Sequence, residues 1–133
     1  MTVILDASAF VAYLLEEGSE GLGDTLSTGV ESVELLLTEA YNAILTAMRD
    51  GRIGLVNALK LTEVVSLLSE ANIRIHPQKD ILDRAFELGK QSGLTVYDGL
   101  YLALAEKLKG SIITLDGKQA DVARRLKIEV IEP

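Results

Sequence analysis

The chain has 133 residues, is 48% hydrophobic and carries a formal net charge of −7, which suffices for one substantial core but not for two ordinary domains; a single domain over residues 1–133 is expected. It has no cysteine, which excludes disulfides and thiolate metal sites and makes a reducing cytoplasm the expected location. Its apolar runs are repeatedly broken by charge and the first stops at Asp6 without a basic leader, so a soluble protein with neither signal peptide nor membrane helix is expected.

Short β-branched runs alternate with longer helical patterns. Val3 to Leu5 reads as a buried strand, followed directly by a helix from Ala7 to Glu16 with Phe10, Val11, Leu14 and Leu15 at helical spacing and Gly18 to end it. Two longer helices are expected from Val33 to Arg49 and from Ile53 to Glu70, separated by the turn pair Asp50-Gly51. Both precede the second strand, Ile73 to Ile75. After His76-Pro77 a helix from Asp80 to Gln91 ends near Gly93, and another from Asp98 to Lys109 ends at Gly110. The strand Ser111 to Thr114, a helix from Lys118 to Leu126 and the strand Glu129 to Ile131 follow. This alternation predicts an α/β sandwich with buried parallel strands.

Four acids lie inside or at the edge of apolar runs: Asp6 after Val3-Ile4-Leu5, Glu39 after Leu35-Leu36-Leu37, Asp98 after Leu94-Thr95-Val96, and Asp116 after Ile112-Ile113. A carboxylate near a core loses hydration and needs a partner. A shared divalent cation would offset both the desolvation and the mutual repulsion of several such groups. Ligands of open α/β sheets gather outside the carboxyl ends of the strands, where Asp6 and Asp116 are expected; Asp98 would open its helix beside them, and Glu39 would reach in from an earlier helix. Singly, each acid has a plainer use. Asp6 and Asp98 can cap helices, Asp116-Gly117 can be a turn, and Glu39 can face solvent. Jointly they point to metal-assisted phosphodiester chemistry.

The negative balance argues on its own against nucleic acid, but two bound divalent ions would offset four of the seven surplus negative charges. Arg49, Arg52, Lys60, Lys118, Arg124, Arg125 and Lys127 are candidates for a basic rim. His76, the one histidine, lies beside Pro77 in an expected loop and is given no catalytic or ligand role. Tyr13, Tyr41, Tyr97 and Tyr101 could stack on bases, but three of them fall within expected helices at positions suited to core packing, so core or partial burial is expected; Gly21, Gly23 and Gly29 lack the spacing of a phosphate-binding loop. Between Ile53 and Glu70, apolar residues from Leu55 to Leu68 cover more than one helix face. Either the helix is wholly interior or a partner covers it.

In this order, Asp6-Ala7-Ser8-Ala9, Thr38-Glu39 with Asn42 one turn later, Tyr97-Asp98-Gly99-Leu100-Tyr101-Leu102-Ala103-Leu104-Ala105 and Thr114-Leu115-Asp116 resemble the PIN-domain ribonucleases, particularly the small VapC-like toxins of prokaryotic toxin–antitoxin pairs. The resemblance spans nearly the whole chain. It implies a PIN-like three-layer sandwich with a central, mostly parallel sheet flanked by helices, and Mg²⁺- or Mn²⁺-dependent hydrolysis of RNA. Asp6, Glu39 and Asp98 would be the core metal-binding acids and Asp116 the fourth; Ser8, Asn42 and Thr114 match supporting polar positions. An antitoxin protein and a homodimer or higher homo-oligomer are the implied partners. Two other classes stay open. A non-catalytic PIN-like interaction module shares these residues, whereas a phospho-receiver signalling domain shares the length but would need paired acids after the first strand and a lysine ending a later one.

Overall fold

A computed structural model describes all 133 residues. Five short strands alternate with helices: β1 (Val3–Leu5), α1 (Ala7–Leu14), α2 (Leu22–Thr28), β2 (Val30–Val33), α3 (Leu35–Arg49), α4 (Leu55–Ala71), β3 (Ile73–His76), α5 (Leu82–Ser92), α6 (Val96–Leu108), β4 (Ser111–Ile113), α7 (Gly117–Arg125) and β5 (Val130–Ile131), with a 3₁₀ turn at Lys79–Ile81 before α5. The sheet is entirely parallel in the order β3-β2-β1-β4-β5. The α/β sandwich expected from the sequence is thus the fold found, a five-stranded parallel sheet flanked by helices.

The strand order explains where a site can form. From β1 the chain steps to β2 and β3 on one side, then returns to β4 and β5 on the other, so the connections leaving β1 and β4 diverge at their carboxyl ends and open a crevice. Register ties those ends together: Leu5 pairs with Ile113, and the Asp6 amide donates to the Ile113 carbonyl at 3.2 Å. Helix α6 packs across β1, β2 and β4, and its run from Gly99 to Ala105 is buried. One core of 31 buried hydrophobic residues joins both sides of the chain, with Phe10, Leu36, Tyr101, Ile4 and Ile112 among its largest members.

Two elements were not expected. These are strand β2 and helix α2, and in addition α3 begins at Leu35 rather than Val33. The reason is polar content: Val30-Glu31-Ser32-Val33 does not read as a buried strand, yet Ser32 is fully buried with its hydroxyl donating to the Leu5 carbonyl at 2.7 Å, and Glu31 bonds His76 Nε2 at 2.7 Å. The neighbouring strands, β1 and β3, supply partners for both groups. Helix α2 forms amid glycines and hydroxyl residues by burying Leu22 and Leu26. His76 is therefore a sheet residue at the end of β3, bonded to Glu31 of β2, and not the loop residue expected.

Helix α4 is not interior. Only Ala58 and Val65 are buried along it, while Leu55, Val56, Leu59 and Leu67 are each about 60% exposed. The tyrosines divide. Tyr101 is buried, but Tyr41 and Tyr97 are exposed, contrary to the expectation of core or partial burial, because the inward faces of α3 and α6 are already filled by smaller residues. No helix is long and apolar enough to cross a membrane.

Candidate active site

An open cleft of about 400 Å³ lies at the carboxyl ends of β1 and β4, lined by Asp6, Ser8, Glu17, Glu39, Asn42, Asp98, Tyr101 and Asp116 with alanine and valine side chains of α1 and α3. The four acids singled out in the sequence, from segments up to 110 residues apart, all face it. Asn42 and Ser8 also line it, and Thr114 is buried just beneath, in contact with Ser8 and Asp6.

Asp6 is the most deeply placed, at 3% exposed. Its carboxylate accepts from Ser8 Oγ at 2.7 Å and from the Ala9 amide at 3.1 Å, which caps α1, and from the Thr114 hydroxyl. The capping and site readings are compatible because one carboxylate has room for several donors. Burial pushes its pKa from 3.8 to about 6 even though these three donors pull it down, and Asp116 adds a smaller upward push. Ser8 and Thr114 knit the two strand ends together: their hydroxyls lie 3.1 Å apart, the Leu115 amide donates to Ser8 Oγ, and the Asp116 amide donates to Thr114 Oγ1. Asp116 in turn caps α7 through the Gln119 amide at 3.1 Å.

Asp98 does not cap α6. That part falls to Thr95, whose hydroxyl accepts from the Asp98 amide, so the helix begins at Val96 and Asp98 sits in its first turn with its carboxylate free to face the cleft. Its pKa is raised, first by burial and then by the charge of Asp116, with Thr95 and the Lys118 ammonium opposing. Glu39 reaches the cleft from the middle of α3, where Leu36, Ala40 and Ile44 take the buried face. Its pKa is also raised by burial and by Asp98, against the pull of a 2.6 Å hydrogen bond donated by the Tyr101 hydroxyl. The four carboxylates therefore feel one another in a chain, Asp6 with Asp116, Asp116 with Asp98, and Asp98 with Glu39.

Two polar lining residues were not assigned to the site from sequence. Tyr101 stands one helical turn after Asp98, a spacing that places both on one face of α6. Glu17 follows α1 and is held by Arg52 Nη1 at 3.0 Å; nothing in its sequence context marks it. The basic rim is sparser than expected. No basic residue lines the cleft itself; Arg52 lies behind Glu17, Lys118 bonds the Gly93 carbonyl, and Arg124 is spent on Asp121 and Glu132.

The donor set is wholly oxygen, which suits a hard divalent ion and not a thiolate or imidazole metal. It is not a closed cage: no three acids stand where one ion could touch them all at once. Ions that retain several waters and take one or two carboxylates fit such an arrangement.

Comparison with known proteins finds relatives along nearly the whole chain. The family model described as "PIN domain" matches residues 3–125. The chain is 35% identical over 124 residues to Ribonuclease VapC3 of Pyrobaculum aerophilum, an alignment covering 91% of this chain and 94% of that protein. Among solved structures, that of PAE2754 from Pyrobaculum aerophilum superposes with a TM-score of 0.76 at 19% identity, covering 99% of this chain and 89% of the other. FitAcB from Neisseria gonorrhoeae follows with a TM-score of 0.66 at 16% identity, covering 98% and 96%. With the fold, the family match and the full-length relative in agreement, the chain belongs to the PIN-domain family as a homologue of the VapC ribonucleases.

Proposed function

We propose that this protein is a divalent-metal-dependent endoribonuclease that hydrolyses RNA phosphodiester bonds with Mg²⁺ or Mn²⁺, and that it serves as the toxin of a VapBC-type toxin–antitoxin pair. The gathering of Asp6, Glu39, Asp98 and Asp116 around one cleft at the switch point of the sheet supports this most directly. The extended identity to a protein named as a ribonuclease supports the substrate class.

Asp6, Glu39 and Asp98 would hold the ion, one or two of them directly and the rest through its waters, with Asp116 as the fourth acid. When bound, it supplies positive charge to the phosphodiester and acidifies water. The protein's own part is to keep the carboxylates in register. Ser8 and Thr114 fix Asp6, Tyr101 fixes Glu39, and Thr95 fixes the turn that carries Asp98. Burial and repulsion raise the pKa values of Asp6, Glu39 and Asp98, so positive charge in the cleft would offset the cost of keeping them ionised. The exposed apolar face of α4 supports a protein partner, an antitoxin or a second copy.

The test is cleavage of a single-stranded RNA with Mg²⁺ or Mn²⁺ and with EDTA, for the native chain and Asp98→Asn. Cleavage that needs the metal and drops at least about 100-fold in the variant is expected, since a first-contact acid is removed from an electrostatic site. A chain that binds RNA but never cuts it would instead be the interaction module.

A further inference from the structure

We propose that Lys118, which stands beside the cleft and not in its lining, grips the RNA backbone next to the bond to be cut; this rests on the ribonuclease reading above. Lys118 stands in the first turn of α7, two residues after Asp116, and its Nζ donates to the carbonyl of Gly93 at 3.1 Å. Gly93 ends α5 and leads through Leu94 to Thr95, the cap of the helix that carries Asp98. The ammonium thus spans the gap between the two loops that present Asp98 and Asp116, and its charge is felt at Asp98.

Three features leave it free to take an anion. A cation in the first turn opposes the helix dipole, so this position does nothing for α7, whose other cations, Arg124 and Arg125, occupy the favourable last turn. No carboxylate lies within ion-pairing distance of Nζ, although the adjoining cleft is acidic, and Arg52 at the cleft's Glu17 side is already paired. One carbonyl occupies one of its three donors, leaving two for an anion. A substrate that must approach an acidic cleft needs such a charge where its non-reacting phosphate lies.

The experiment measures binding of a fluorescein-labelled single-stranded oligoribonucleotide by anisotropy, with Ca²⁺ in place of Mg²⁺, for the native chain, Lys118→Met and Lys118→Arg. Lys118→Met should weaken binding about tenfold at low salt, the worth of one charge-assisted contact, and lower the slope of log Kd against log salt by about 0.7. Lys118→Arg should keep both near native values, and the melting temperatures of all three should agree. In Mg²⁺ the loss should fall on KM, with kcat within about threefold. Unchanged binding and slope in Lys118→Met would overturn the proposal, as would a binding loss accompanied by a lowered melting temperature, which would make Lys118 a strut between α7 and the Gly93 turn. If the native chain neither binds nor cuts RNA, the ribonuclease reading fails and this proposal with it; if the native chain cuts and Lys118→Met binds equally well, the proposal fails alone.

Discussion

Tyr101 donates its hydroxyl to Glu39 at 2.6 Å, joining the buried face of α6 to the middle of α3 across 62 residues of sequence. The phenol is 1% exposed, and burial beside Glu39 raises its own pKa, so it remains a donor throughout the working range of pH. Tyr101→Phe removes the bond and leaves Glu39 half-buried without it. A loss of about 1 kcal/mol in stability is expected, with RNA cleavage reduced about threefold to tenfold because Glu39 loses its fixed orientation. Chemical denaturation and initial cleavage rates read the two effects separately; a fully native cleavage rate would show that Glu39 needs no orienting partner.

Cation binding should be visible without any substrate. Mg²⁺ or Mn²⁺ at about 100 times its Kd adds roughly 3 kcal/mol to the folded state, a rise of several degrees in Tm. In Asp98→Asn this rise should be largely lost. The same upward shift in the variant would separate the cation from these acids.

The pKa of Asp6 gives stability a definite sign with pH. Its folded value of about 6 lies above the ordinary 3.8, so the folded state binds the proton more tightly than the unfolded chain does. The burden on the folded state is present in full above pH 6, lifts as pH falls through that value, and is gone below 3.8. Glu39 and Asp98 are raised as well and act in the same direction. In EDTA the protein should be on the order of 1 kcal/mol more stable at pH 5 than at pH 7.5 as far as Asp6 is concerned, and Asp6→Asn should flatten the difference. Cleavage should run the other way and rise with pH, because the acids must be ionised to hold the cation. Denaturant midpoints across this range check the first expectation.

Gly99, next to Asp98, lies where α6 packs tightly against α5. A Cβ there would stand 2.6 Å from the carbonyl oxygen of Ala85, a backbone atom that cannot swing aside. Gly99→Ala should therefore destabilise by about 1–3 kcal/mol through overpacking, despite the better helix propensity of alanine. Thermal melting decides it; an unchanged or higher Tm would mean that α5 and α6 separate freely.

Leu55, Val56, Leu59 and Leu67 leave an apolar stripe along α4 that the chain's own core does not cover. At micromolar concentrations light scattering should give a mass above that of the 14.4 kDa chain, and Leu55→Lys with Leu59→Lys should bring it down without loss of helicity. A native chain that scatters as a monomer would leave the stripe to a different protein.

The sequence by itself determined the alternation of strands and helices, most of their boundaries, and the identity of the acids, because apolar periodicity and a carboxylate at the end of an apolar run are local signals. It concealed β2, where the buried Ser32 and the paired Glu31 imitate a loop, and it allowed Asp98 to be taken as the start of a helix that Thr95 caps. Only the tertiary structure decided that α4 is an exposed face and not an interior one, that Tyr101 serves Glu39, that Glu17 enters the cleft and that the expected basic rim largely lies elsewhere. These are matters of which distant segments meet. Strand order and helix packing set them, and no residue carries that information in its immediate neighbours.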